Sequence, residues 1–191
     1  VSSGTVFTQD VAAATSGAGA GLTVSGSAVL LGTGTYTGAT TVNTGGSLVL
    51  GGALEGSSIA VGTNAFFTQS AGSVIAGSNV TVTLQSNATL GGSNAFDGVA
   101  TFGVLGTANL AYTLNNSNAL GSTVGDTRLY GGTGSLLNRL YLGRNMAVTG
   151  ERLTLDGSND YRSGLAYNQN GGTGTWAGTI ACIGSAYIES S

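Results

Sequence analysis

The sequence predicts an all-β fold, a β-solenoid (β-helix) of short strands, with a β-sandwich or jelly roll as the alternative arrangement. Three observations predict it. Apolar residues recur in short alternating runs closed by Gly, Asn or Ser, the pattern of half-buried strands joined by turns. The 191 residues include 35 glycines and no proline; proline cannot donate to a β ladder, whereas glycine serves turns that need positive φ. Similar segments also recur at about 21 residues, near the lower end of the range for stacked repeats.

Taken in order, the strand signals begin with Val42, Leu48 and Leu50, followed by Ile59, Val61, Phe66 and Phe67. Next come Val74, Val80, Val82, Leu84 and Leu90, then Phe102, Val104, Leu110, Tyr112 and Leu114. Helix signals are nearly absent, because Thr, Ser, Val, Asn and Gly are poor helix formers. "SLLNRLYLGRNM", residues 135–146, could form a helical turn, but its alternation favours a strand.

Four segments superpose: "TTVNTGGSLVLGG", "SSIAVGTNAFFTQ", "VTVTLQSNATLGG" and "ATFGVLGTANLAY". Taking Ser47, Ala65, Ala88 and Asn109 as equivalent gives steps of 18, 23 and 21 residues. A narrow solenoid needs only one or two inward apolar side chains per strand. Its outward positions suit Thr, and its corners suit Gly and Asn, which tolerate left-handed backbone. At about 21 residues per repeat the chain makes roughly nine coils. Gly38 and Gly46 are expected at corners with positive φ. The chain divides into an N-terminal strand segment (1–20) that caps the solenoid or is donated to a neighbour, a repeat-bearing region (21–126) and an Arg-containing β region (127–191).

Residues 32–52, "GTGTYTGATTVNTGGSLVLGG", resemble the autotransporter-associated β-strand repeat, also called the passenger-associated transport repeat. Tyr36, Thr37, Gly38, Thr40, Thr41, Val42, Asn43, Gly46, Leu48 and Leu50 stand in that family's pattern. A partial echo, "LTLDGSNDYRSGLAYNQNGG", starts at Leu153 and lacks the Thr-Thr-Val step. The resemblance implies a secreted or surface-exposed bacterial β-solenoid of structural or adhesive use. It implies no catalytic residues.

Composition narrows the function classes. Charged residues are 7% of the chain, against about 25% in ordinary soluble domains. Low charge with 41% hydrophobic residues excludes disorder. There is no Lys and no His, and the basic residues are Arg128, Arg139, Arg144, Arg152 and Arg162. Within 128–162 they face Glu151, Asp156 and Asp160, net +2; Asp10, Glu55, Asp97, Asp126 and Glu189 make the remainder −5. No basic patch fit for nucleic acid is present, so nucleic acid is not an expected partner. No run of about 18 apolar residues predicts a membrane-inserting helix. The chain starts without Met or a leader, as a processed secreted protein or a fragment would.

Without His and Lys, Ser–His, Cys–His and Schiff-base chemistry are excluded. The acidic cluster "GERLTLDGSNDYRSG" is read as surface ion pairing rather than a glycoside-cleaving carboxylate pair. "GGTGSLLN" and "GGTGTWAG" share glycines with calcium-binding repeats but carry Ser135 and Thr175 where a carboxylate is needed. No metal or other cofactor is expected. Threonines such as Thr33, Thr35, Thr37, Thr81 and Thr83 are read as outward strand residues. Cys182, the single cysteine, is read as a small buried hydrophobe. Weak glycosylation candidates are the sequons at Asn79, Asn87 and Asn115.

These observations lead to an extracellular structural protein, not an enzyme: a subunit of a surface fibre assembled by strand pairing into a homo-oligomer or homopolymer. The alternatives are an adhesin module that binds glycan or matrix, and a carbohydrate-active β-helix enzyme. The ends "VSSGTVFTQDVAAAT" and "GTIACIGSAYIESS" lack proline and lysine guards. The candidate self-association residues are Val6 and Phe7 at one end, and Ile180, Ile183, Tyr187 and Ile188 at the other.

Overall fold

The computed structural model describes residues 1–106, 109–133, 136–167 and 172–190. Ser135 and residues 168–171 of the partial echo lie outside the described residues. Among the described residues twenty-two strands follow the chain in coils. The first coil holds β1 (Val6–Gln9) and β2 (Ala14–Thr15); the second holds β3 (Leu22–Val24), β4 (Ser27–Leu30) and β5 (Thr33–Gly34). Then come β6 (Thr40–Val42), β7 (Ser47–Leu50) and β8 (Ala53–Glu55), and after them β9 (Ile59–Val61), β10 (Phe66–Gln69) and β11 (Val74–Gly77). The next coils hold β12 (Val82–Leu84), β13 (Ala88–Leu90) and β14 (Ala95–Phe96), then β15 (Ala100–Phe102) and β16 (Ala111–Leu114). The series closes with β17 (Asp126–Tyr130), β18 (Leu137–Leu142), β19 (Met146–Thr149), β20 (Arg152–Tyr167), β21 (Gly174–Ala177) and β22 (Ile180–Ser190).

Each strand pairs in parallel with its counterpart one coil away, which is the β-solenoid expected from the repeats. Three faces result. The first stacks β3, β6, β9, β12, β15 and β17, and the second stacks β1, β4, β7, β10, β13, β16 and β18. The third stacks β2, β5, β8, β11 and β14, and β19–β21 form a separate pair farther along. β20 joins the first two faces, because its first half pairs β17 and its second half pairs β18. β22 pairs β20 over Leu153–Gly157 and again over Arg162–Tyr167, and the register shifts between the two stretches. Within 135–146, Leu137–Leu142 form strand β18, a turn follows at Arg144 and Asn145, and Met146 opens β19.

The core is a set of axial rows. Val24, Val42, Val61, Leu84, Phe102, Leu129 and Leu155 are consecutive register partners, and all are buried. A second row runs Leu30, Leu50, Gln69, Leu90, Leu114 and Leu142. Between the inward rows, Thr23, Thr41, Thr83 and Thr101 point outward, as β-favouring threonines should. A coil is 18 residues from Leu22 to Thr40 but 27 from Ala100 to Thr127. Lengthening after residue 100 leaves about eight turns rather than nine.

The register corrects the proposed equivalences. Ser47 stands opposite Phe66 rather than Ala65, and Ala88 opposite Phe67 and Tyr112 rather than Asn109. Corners of different length absorb the offset. Left-handed corners exist where Gly and Asn occupy them, at Gly45 (φ 77°) and Asn64 (φ 55°), joined by the Gly45 N–H donating to the Asn64 carbonyl at 3.1 Å. Gly38 and Gly46 do not have positive φ. They are small because backbone approaches closely: a Cβ at Gly38 would lie 2.4 Å from the Ala20 carbonyl oxygen, and one at Gly46 2.5 Å from that of Val24.

The motif around Tyr36 builds a buried corner. The Tyr36 hydroxyl lies 2.7 Å from Thr40 Oγ1, which lies 2.8 Å from Ser57 Oγ; Ser57 in turn donates to the Gly38 carbonyl at 2.9 Å. Thr37 Oγ1 accepts the Gly19 N–H at 2.8 Å. Burial pushes the Tyr36 phenol upward, against those hydroxyl contacts.

Candidate functional site

Among the described residues the first and last coils each have one face with no strand against it, so the chemistry of those faces follows from the rows. One inward row makes this visible: Phe7, Ala28, Leu48, Phe67, Ala88, Tyr112, Leu140, Leu165 and Ile188 are successive partners along the second face. Every interior member is buried, yet Phe7 is 41% exposed and Ile188 68% exposed. The core is therefore uncapped at both ends among the described residues.

At the N-terminal end β1 folds onto β4 of its own chain and leaves its other edge open. The Thr5 and Gln9 carbonyls accept from Ser27 and Leu31. Strand alternation therefore turns the N–H and C=O of Val6 and Thr8 toward the open edge. The first face is different there: Val1 accepts from the Ser25 N–H at 2.7 Å and its amino group donates to the Thr23 carbonyl at 2.6 Å, so β3 is partly covered.

At the other end β22 pairs with β20 alone. The mouth of the core beside it encloses about 600 Å³ and is lined by Leu142, Leu165, Tyr167, Trp176, Ile180 and Ile188. Trp176 is in register with buried Val148, so it belongs to an inward row of the third face. Its indole N–H is buried with no acceptor among the described residues. Sequence reasoning missed Trp176; the signal available was a single large aromatic between small residues in "GTWAG".

The six expected residues separate by direction. Phe7, Ile180 and Ile188 continue inward rows, whereas Val6, Ile183 and Tyr187 point outward, with Arg162 5.9 Å from the Tyr187 ring. Cys182 extends the Val24–Leu155 row but is exposed, contrary to the buried expectation, because nothing packs on β22.

The acidic cluster also differs from a set of surface pairs. Only Asp126–Arg152 is one, at 3.4 Å with both side chains exposed. Asp156 is buried and accepts from Arg128, from Ser158 Oγ at 2.6 Å and from the Ser158 N–H at 3.1 Å. Burial alone would raise its pKa, but these donors outweigh it and hold the carboxyl below its ordinary range. Arg128 also lies 4.7 Å over the Tyr130 ring. Glu151 is only 3% exposed and takes the Thr127 hydroxyl proton donor at 2.7 Å. Burial pushes Glu151 up to about 7, the Thr127 bond opposes this, and the Asp126 charge adds to it. Asp160 is exposed at a left-handed turn inside β20. These carboxylates are spread over inside, corner and surface.

Asn79, Asn87 and Asn115 are all exposed. Asn79 has φ 64°, and Asn87 Oδ1 accepts the Ala111 N–H at 2.8 Å. Among the described residues there is no group of three or more potential metal ligands and no helix long and apolar enough to cross a membrane. In comparisons with known proteins, no family model, no curated protein and no solved structure matches the chain.

Proposed function

We propose that this protein is a structural subunit of an extracellular, bacterial-surface fibre, assembled as a homopolymer by strand pairing between subunits. The observation that carries the reading is the row that ends in exposed Phe7 and exposed Ile188 while all its interior members are buried. Open edges with unpaired N–H and C=O groups template strand addition unless charge, proline or a cap blocks them. β1 has no charged residue and no proline, and the single charge of β22, Glu189, is engaged by Arg139 at 3.1 Å. The likeness of residues 32–52 to the autotransporter-associated repeat supports the surface setting.

Negative-stain microscopy and sedimentation of the purified full chain test the reading, with Thr8→Pro as the paired variant. Proline at an edge position removes a donor that points away from β4, so its own ladder is spared. Filaments are expected from the parent and a soluble β-rich monomer from Thr8→Pro. A parent that stays monomeric at high concentration, or a Thr8→Pro protein that polymerises as readily as the parent, overturns it.

A further inference from the structure

Resting on that fibre reading, we infer that the subunits stack head to tail along the solenoid axis. In this arrangement the mouth beside β22 of one copy receives Phe7 and β1 of the next. The occupant is a second copy of this chain because the two ends complete each other's rows. Tyr187, Ile188 and Glu189 continue the rows that begin with Val6, Phe7 and Thr8. A single translation along the axis thus puts Val6 on Tyr187, Phe7 on Ile188 and Thr8 on Glu189, with every strand still parallel.

The shapes agree with this placement. The C-terminal mouth is a concavity of about 600 Å³ with Leu165, Trp176, Ile180 and Ile188 around it. At the N-terminal end a smaller hollow, of about 150 Å³, lies beside Phe7, Leu22, Leu30 and Tyr36, and Phe7 is 41% exposed there. The two ends present different surfaces, β1 at one and β22 at the other, so the contact is heterologous and does not close on a pair. Heterologous contacts whose rotation does not close generate open filaments. Outward Val6 meets outward Tyr187, so the apolar surface continues across the joint.

Directly opposed parallel strands lie about 4.8 Å apart, which falls in the Cα range a disulfide spans. In a Cys182→Ser background, Phe7→Cys and Ile188→Cys are made as separate proteins, then oxidised alone and mixed. The expected result is a covalent dimer in the mixture at least tenfold above that in either protein alone. A Phe7→Cys protein that links to itself as well as to Ile188→Cys indicates head-to-head contact and overturns the stack. Parent filaments with no mixed cross-link also overturn it while leaving the fibre reading standing. Absence of filaments from the parent removes both. Independently of any cysteine, fibre diffraction of the parent should give its reflection near 4.8 Å along the filament axis. The same reflection found perpendicular to the axis means lateral assembly and refutes the inference.

Discussion

Glycines 45 and 46 are adjacent and serve opposite purposes. Gly45 has left-handed backbone and open space around its Cβ position, while Gly46 has ordinary φ and the Val24 carbonyl 2.5 Å from where a Cβ would stand. Asn64 holds the equivalent left-handed corner one coil away. Gly45→Asn should therefore stay within about 1 kcal/mol of the parent, and Gly46→Asn should lose about 2 kcal/mol or more through overpacking. Chemical denaturation of both variants checks the ordering; equal losses would show that conformation, not crowding, governs the corner. The sequence made these corners visible as glycine clusters. It could not tell the two glycines apart, because crowding at Gly46 comes from a coil 22 residues earlier. Glu151 was legible only as a charge near arginines, yet it faces inward. Its folded pKa, about 7, exceeds the ordinary 4.5. Between those values the native state holds a proton that the unfolded chain has released, so stability falls as pH rises. It is highest below about 4.5 and levels off above about 7. The change amounts to about 3 kcal/mol at most. Melting temperatures from pH 5 to 8 should decline for the parent and decline less for Glu151→Gln. Identical slopes would place the proton elsewhere.

At the scale of strands, alternation was readable, and so β6, β7, β9, β12 and β18 follow directly from their inward Val, Leu and Ile. Two elements were not readable. β20 was seen as a degraded repeat because it lacks Thr-Thr-Val; in the fold it turns from face one to face two without a separate strand, with Asn159 and Asp160 at positive φ to make the bend. The other is the polar break in an aliphatic row, where Gln69 sits between Leu50 and Leu90. Asn94 explains it: Gln69 and Asn94 exchange two side-chain bonds, at 2.6 and 3.1 Å, and Asn94 also serves the Ile75 N–H and the Ala119 carbonyl. This ties β10, β11 and β14 to the following coil with all its amide atoms bonded. Asn94→Leu orphans two backbone groups and a glutamine at about 1–3 kcal/mol per buried group, whereas Gln69→Leu orphans part of one side chain. Asn94→Leu should be the more destabilising of the two by at least about 1 kcal/mol. Reversed order in urea melts would mean the amide pair is not the anchor.

For the whole molecule, axial stacking makes the coil the unit of stability, with each coil contacting its neighbours alone. The fold class was legible because the repeat fixes residue types at strand and corner. The lack of proline and lysine guards at the ends was legible, but that Phe7 and Ile188 stand at the two ends of one row was not, since it depends on the register of every intervening coil. Removing residues 59–99 excises β9 to β14 and joins Ser58 to Ala100. It sets Thr40 opposite Ala100 and takes Gln69 and Asn94 out together. The shortened chain should fold cooperatively and scatter X-rays as a particle about 10 Å shorter; an unfolded product would show that the coils are not interchangeable. Among the described residues the coil of β15 and β16 adds no strand to the third face. The third-face ladder stops at Ala95–Phe96 and resumes as a separate pair at Met146–Thr149. Between the intervening segment and β19, the hydrogen bond from the Ala147 N–H to Ser117 Oγ at 3.2 Å is side-chain mediated. Interstrand bonds in this molecule point along its length, so tension on the two ends loads each coil junction as a set of parallel springs. The two junctions that flank the β15–β16 coil each share that load between two ladders, where the junctions from β3–β5 through β12–β14 have three. That coil should behave as a mechanical fuse: optical-trap traces are expected to show it yielding at lower force than the three-ladder coils between β3 and β14, with chain released around residues 100–126.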